Sequence, residues 1–172
     1  MFICQPTTEN VLEISRIYAA SWKSAYRGMV PQGYLDQLRE DAWVPVSGQW
    51  LSGTEVKALS VWEGKEMLGC SFFGESREAS LPAAGEIISL YLKPEAFGKG
   101  YGGALFRAVV DSLRDEGYRQ ACLLYTSRRL LHRRWKYSGS GRQNIRKIFM
   151  MKKPGKGISD IFTCVWRWLR GR

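Results

Sequence analysis

Residues 86–92, EIISLYL, carry almost no polar position, and Pro94 stops them. A run of that length and composition reads as a central strand buried on both faces. Behind it comes a glycine-rich turn, FGKGYGG at 97–103, and then a helical pattern over about 102–116. Leu105, Phe106, Val109, Val110 and Leu113 fall on one face of that helix, and Glu116-Gly117 ends it. Residues 118–125, YRQACLLY, read as the next strand. The stretch 86–125 is therefore a βαβ unit, and its two strands should run parallel.

The residues upstream prepare a different neighbourhood. Residues 2–5 can start a strand, and Thr8 or Glu9 opens a helix with Val11, Ile14, Ile17, Tyr18 and Trp22 at three- and four-residue spacings. Gly28 ends it, and Pro31 begins a short helix through Tyr34, Leu35 and Leu38. A third helical piece, about 40–51, carries Trp43, Val46 and Trp50. The period then becomes two. Residues 56–62 and 67–74 read as a hairpin around Glu63-Gly64-Lys65. A polar loop with Pro82 fills 77–85.

Composition excludes several classes. At 172 residues the chain suits one domain or a lean two, and 45% apolar with 24% charged residues is globular. No apolar run reaches the ~18 residues of a membrane span. MFICQPTTEN lacks the basic and apolar regions of a signal peptide. The cysteines at 4, 70, 122 and 164 have no zinc or thioredoxin spacing, and the one histidine, His132, excludes a histidine-rich metal site. The expectation is a reduced, cytoplasmic protein without a metal. Cys70 reads as a small core residue.

The net charge of +10 is unevenly spread. Residues 1–127 hold 12 Lys+Arg against 15 Asp+Glu, a net of −3. Residues 128–172 hold 14 Lys+Arg and one acid, Asp160, a net of +13. The chain accordingly divides into a mildly acidic domain, 1–127, and a basic C-terminal segment, 128–172.

The glycine turn carries the chemistry. A turn between a buried strand and a helix N-terminus offers backbone N–H groups that have no helical partner. Gly98, Gly100, Gly102 and Gly103 let a ligand approach that backbone closely. The positive end of the helix dipole lies behind it, and Lys99 adds charge, so the turn suits a phosphate or pyrophosphate. The spacing is neither a Walker loop nor a Rossmann fingerprint.

The stretch GEIISLYLKPEAFGKGYGGALF, 85–106, resembles the cofactor motif of the GNAT N-acetyltransferase superfamily. That motif is a strand, an L-Y-V-x-P exit, then [Q/R]-x-x-G-x-[G/A] opening a helix. Phe97 stands where Gln or Arg is usual. The stretch SWKSAYRGMVPQGYLDQL, 21–38, is similar to the two N-terminal helices of many bacterial members, and the resemblance covers about 1–125. It implies an α/β fold: a mixed, mostly antiparallel sheet with helices on both faces and a splayed parallel strand pair. It implies acetyl-CoA as cosubstrate and direct acetyl transfer to a primary amine of a small molecule or peptide. Such transfer needs a base for the ammonium, a donor to the thioester oxygen and an acid for the thiolate.

The cofactor contacts so implied are Leu90, Tyr91 and Leu92 on the strand and Phe97, Gly98, Lys99, Gly100, Tyr101, Gly102 and Gly103 in the turn. The backbones of Leu90 and Leu92 would pair with the pantetheine arm. Glu86 is the candidate base, with Ser89 as an alternative polar group. Trp22, Tyr26 and Tyr34 would line the acceptor pocket. A homodimer fits the resemblance; a nucleic-acid partner does not.

Past residue 125 the sequence departs from the family. The family continues N-x-x-A-x-x-F-Y-x-x-x-G-F, whose Tyr is the usual general acid, and ends with two antiparallel strands. Here SRRLLHRRWKYSGSG has no such Tyr. Read one nucleotide later, Trp135-Lys136 gives glycine without choice, and Ser127–Trp135 can decode to A-x-x-F-Y-x-x-x-G. The same frame meets a stop at Met150-Met151, so one shift is not a full account. Cys122–Ser127 (CLLYTS) also resembles the translation of a transposon-end adapter of sequencing libraries. The chain therefore reads as native to about 121–127 and frameshifted or chimeric beyond, lacking the family's last helix and strands. Without those strands, 118–125 would be an exposed sheet edge. Two other functional readings follow: a CoA-binding but catalytically impaired fragment, or a basic-tailed nucleic-acid or ribosome-associated protein.

Overall fold

The computed structural model of the chain describes residues 1–77, 83–125 and 147–152. Side chains are described to Cys122. Among the described residues six strands form one sheet in sequence order. They are β1 (Phe2–Cys4), β2 (Val56–Glu63), β3 (Glu66–Glu75), β4 (Gly85–Leu92), β5 (Gln120–Tyr125) and β6 (Lys147–Lys152). Each of the first four is antiparallel to its neighbour among them. β4 and β5 run parallel, with α4 (Tyr101–Asp115) between them in sequence, as the βαβ reading predicts. The remaining helices are α1 (Val11–Ala25), α2 (Gln32–Asp36) and α3 (Val44–Ser52).

The apolar stripes decide which face each helix covers. Ile14, Ile17, Tyr18 and Trp22 of α1 are buried with Trp43 and Val46 against Met67, Cys70 and Phe72 of β3. Leu105, Phe106, Val109, Val110 and Leu113 of α4 are buried against Leu68 and Phe73 of β3 and Ile87 of β4. Helices thus lie on both faces, and β3 supplies both cores. Every residue from Met67 to Gly74 is buried. The expectation of a doubly buried centre therefore belongs to β3. In β4 only Gly85, Glu86 and Ile87 are fully buried, and 88–92 are half-exposed. Periodicity cannot separate the two, because both runs are apolar.

Beyond β5 the sheet departs from the resemblance. β6 pairs with β5 along its whole length, Gln120 opposite Lys147 through Tyr125 opposite Lys152, and in parallel. The resemblance implies antiparallel strands there. The basic segment thus contributes a strand, and 120–125 is not an edge. The helix that the second reading frame could encode, Ser127–Trp135, lies outside the described residues.

Candidate active site

The site starts from a one-residue irregularity. β3 pairs Phe72 with Ser89 and Phe73 with Ile87, so Ile88 is extra, a β-bulge that bends the strand. β4 pairs with β5 only through Gly85, Glu86 and Ile87. From Ile88 to Leu92 that edge of β4 meets no strand among the described residues. The two parallel strands splay apart at the bulge, as the resemblance implies.

Strand alternation sets which backbone groups face the opening. The Lys93 N–H donates to the Leu68 carbonyl of β3 at 2.8 Å. Successive residues point their hydrogen-bonding groups to opposite edges, so Tyr91 faces β3, and Leu90 and Leu92 face the gap. Two glycines fix the Leu92 side chain. A Cβ on Gly69 would collide with Leu92 Cδ2 and stand 2.8 Å from the Tyr91 carbonyl oxygen. A Cβ on Gly102 would lie 2.9 Å from Leu92 Cδ1.

The glycine turn joins this edge to α4. Gly98 and Gly100 have φ of +76° and +92°, a region that L side chains rarely adopt, and Gly100 caps α4. No side chain caps that helix end. A Cβ at Gly98 or Gly100 would meet nothing within 4 Å, so both positions are open. Phe97 and Lys99 are exposed beside them. An unpaired strand edge leading to an uncapped helix start fits an extended arm ending in an anion. The residues present therefore suit a pantetheine-pyrophosphate ligand.

Glu86 sits one residue before the last β4–β5 pair and is 1% exposed. Its carboxylate accepts Arg77 Nη2 at 2.6 Å on Oε1, and Arg77 Nε at 3.1 Å and the Arg77 backbone N–H at 3.0 Å on Oε2. Ser89, at the start of the open edge, hydrogen-bonds the Tyr18 hydroxyl. Burial, with Cys70 nearby, holds the Tyr18 phenol well above its usual range. Tyr91 packs edge-on against Tyr18 at 4.5 Å between ring centroids. Burial also pushes the Tyr91 phenol up, with Tyr26 adding to the shift and Trp22 opposing it. Both phenols stay protonated at neutral pH.

The three expected acceptor residues separate. Trp22 and Tyr26 pack as a tilted pair, ring centroids 4.6 Å apart, and are buried in the aromatic cluster under β4, while Tyr34 is 39% exposed on α2. Cys70 is fully buried, as expected of a core residue. Sequence reasoning missed Arg77 and Tyr18. Arg77 is one of many surface-type arginines in the sequence, and only the fold brings it to Glu86. Tyr18 was visible as a core-face residue four before Trp22, without a sign of its partner. Among the described residues no group of three or more His, Cys, Asp or Glu could hold a metal, and no helix is long and apolar enough to cross a membrane.

The sequence model of the Acetyltransferase (GNAT) family matches residues 11–134. The chain belongs to that family, and the match runs past residue 125. A curated relative, the uncharacterized N-acetyltransferase YuaI of Bacillus subtilis (strain 168), is 28% identical over 116 residues, 64% of this chain and 62% of that protein. The chain thus spans less than two thirds of that relative's length. Among solved structures, the PaiA N-acetyltransferase of Thermoplasma acidophilum in complex with coenzyme A matches with a TM-score of 0.58 at 20% identity, covering 67% of this chain and 73% of that one. A tetramutant of the BH1408 protein of Bacillus halodurans matches with a TM-score of 0.62 at 15% identity, covering 82% and 98%. These structures share the fold.

Proposed function

We propose that the chain is an acetyl-CoA-dependent N-acetyltransferase acting on a primary amine. The observation that carries this reading is the open edge of β4 from Ile88 to Leu92, which leads directly into the uncapped turn at Gly98–Gly103. Family membership and the coenzyme A bound to the PaiA relative support the same cosubstrate. Acetyl-CoA supplies the activated acetyl thioester. The Leu90 and Leu92 backbones hold the extended arm as an added strand, with Tyr91 between them. The N–H groups of the turn and Lys99 hold the pyrophosphate.

Glu86 is the base in this reading, and Arg77 orients its carboxylate. Ser89, backed by Tyr18, is the second polar group beside the open edge. The acceptor binds on the α1–α2 side of β4, where Tyr34 is accessible and Trp22 and Tyr26 form the wall behind. Residues 1–127 carry this activity, in the cytoplasm, and the acceptor is a small-molecule or peptide amine.

Calorimetric titration of the purified chain with acetyl-CoA tests the cofactor half. Micromolar binding that weakens markedly with pantetheine alone and with adenosine alone is expected. A folded sample that binds none of the three overturns the reading. Binding without turnover on any amine would support the catalytically impaired alternative.

A further inference from the structure

The bulge in β4 changes which face its side chains take. Glu86 and Ile87 pair in register with Gly74 and Phe73. Ile87 belongs to the core on the α4 side, so strand alternation turns Glu86 to the α1 side. In a regular strand Ser89 would follow Ile87, two residues on, to the α4 side. The extra residue, Ile88, resets the alternation. Ile88 and Tyr91 pack with the core on the α1 side, and Leu90 and Leu92 with the core on the α4 side. Ser89 turns to the α1 side as well, where its hydroxyl meets that of Tyr18. Ile88 and Ser89 thus stand one after the other on the face that carries Glu86, at the point where β4 and β5 part.

Ser89 is held at two points. The Ser71 hydroxyl on β3, fully buried, donates to the Ser89 carbonyl at 2.7 Å. In a trans peptide the N–H points opposite to the C=O, so this bond also fixes the Leu90 N–H toward the gap. The second point is the hydroxyl, held by the buried Tyr18. Ser89 itself is only half-buried. A hydroxyl has one donor and two acceptor positions. When Tyr18 donates to Ser89 Oγ, the serine proton is left for a third group. Burial keeps the Tyr18 phenol protonated, which suits a donor and not an acid.

Resting on the cofactor reading above, we infer that the Ser89 hydroxyl is a hydrogen-bond donor to the thioester oxygen, oriented by Tyr18. The arm enters at the glycine turn that follows Leu92 and runs back along the open edge, so its reactive end arrives at Ile88–Ser89. The ammonium of the acceptor gives one proton to Glu86. The amine nitrogen then bonds to the carbonyl carbon, and the carbonyl electron pair moves on to oxygen. Ser89 donates to that oxygen as its negative charge develops. Collapse breaks the C–S bond and expels CoA as the thiolate, which takes a proton from water. The new amide nitrogen loses its second proton to water. Ser89 and Tyr18 keep their protons throughout. Ser89 is a catalytic residue in this scheme, and Tyr18 is a positioning residue.

The test reads the thioester carbonyl itself. Acetyl-CoA labelled with carbon-13 at the carbonyl is bound to the parent chain and to Ser89→Ala, Ser89→Thr and Tyr18→Phe. The isotope-edited infrared band is recorded for each, together with the calorimetric Kd for CoA, which lacks the acetyl group. A donor on the oxygen lowers the stretching frequency, so Ser89→Ala should raise the band. Ser89→Thr keeps the hydroxyl and should leave the band where the parent has it. Tyr18→Phe should raise it by less and broaden it, because the serine proton loses its orientation. CoA affinity should stay near that of the parent in all three. On an accepted amine, kcat of Ser89→Ala should fall about 10²-fold.

An unmoved band in Ser89→Ala overturns the donor role. A band in Tyr18→Phe identical to the parent's overturns the positioning role, and it decides the matter if Ser89→Ala does not fold. A loss of CoA affinity as large as the loss of rate overturns the inference too, since a merely structural contact would do that. If the parent binds no CoA, the cofactor reading falls and the donor role with it. If the parent binds CoA and the band ignores Ser89, the donor role alone falls.

Discussion

Arg77 closes a fork on Glu86, with Nη2 2.6 Å from Oε1 and Nε 3.1 Å from Oε2. The two partners differ in burial: the Glu86 side chain is 1% exposed and the Arg77 side chain 46%. Removing the exposed partner strands a charge inside the protein, whereas removing the charge of the buried partner does not. Arg77→Ala should therefore destabilise the fold more than Glu86→Gln, by up to about 3 kcal/mol against about 1 kcal/mol. Adding Glu86→Gln to Arg77→Ala should recover stability. Urea unfolding midpoints of the three variants check this; a double variant weaker than Arg77→Ala would refute it.

The same pair separates structure from chemistry. If Glu86 is the base, Glu86→Gln lowers kcat by about 10² or more while the chain stays folded. The loss should shrink as pH rises and the amine deprotonates unaided. A pH-rate profile of the variant on an accepted amine is the measurement, and an unchanged kcat moves the base role to another group.

Substitutions at the left-handed glycines should weaken cofactor binding. Gly100→Ala and Gly98→Ala each place a Cβ on a backbone with φ near +90° or +76°, at a cost of about 1–2 kcal/mol unless the turn shifts. A shifted turn misdirects its N–H groups, so CoA affinity should fall about tenfold or more. Gly28→Ala, at φ +77° between α1 and α2, carries similar strain away from the turn and serves as the control. Its CoA affinity should stay near that of the parent.

Gly69→Ala tests how the open edge is supported. Its Cβ would strike Leu92 and the Tyr91 carbonyl, and the backbone cannot move aside as a side chain can. A loss of about 1–3 kcal/mol in stability is expected. The displaced strand is the one that faces the gap, so pantetheine binding should weaken as well. Thermal unfolding together with pantetheine titration reads both effects.

Stability should fall on the alkaline side. Burial raises the Cys70 thiol and the Tyr18 and Tyr91 phenols above their ordinary values. In the unfolded chain these groups release protons from about pH 9 for the thiol and pH 10 for the phenols. The native state keeps them protonated there, so it binds more protons and loses stability as pH rises. Each group adds a slope of about 1.4 kcal/mol per pH unit above its unfolded value. Urea midpoints between pH 8 and 10.5 should decline, starting with Cys70, and Cys70→Ala should remove the earliest part. Cys70 should also resist thiol reagents until the chain unfolds.

Much of this fold was legible in the sequence for a simple reason. The stripes of α1 and α4, the hairpin and the strand after it are local patterns, and each element formed within a few residues of its expected bounds. The bulge at Ile88 was not legible, because it depends on how Phe72 and Phe73 meet β4. Arg77 was not legible as the partner of Glu86, since nothing in nine residues of separation marks that contact.

The end of the chain is where pattern and pairing disagree most. Lys147–Lys152 lies parallel to β5, whereas the resemblance implies antiparallel strands. We expect genomic DNA of the source to diverge from this sequence within codons 122–128. An intact read through codon 172 would establish the basic segment as native.

The open edge of β4 has an evolutionary consequence. Its gap-facing groups are the peptide units of Leu90 and Leu92, and every amino acid except proline provides the same ones. Drift at Leu92 is then filtered by packing against Gly69 and Gly102 rather than by ligand chemistry. Selection for the proposed cofactor would leave its mark on the glycines and the bulge rather than on the side-chain chemistry of that edge. The turn likewise offers backbone groups, so Phe97, where the resemblance implies Gln or Arg, leaves those groups in place.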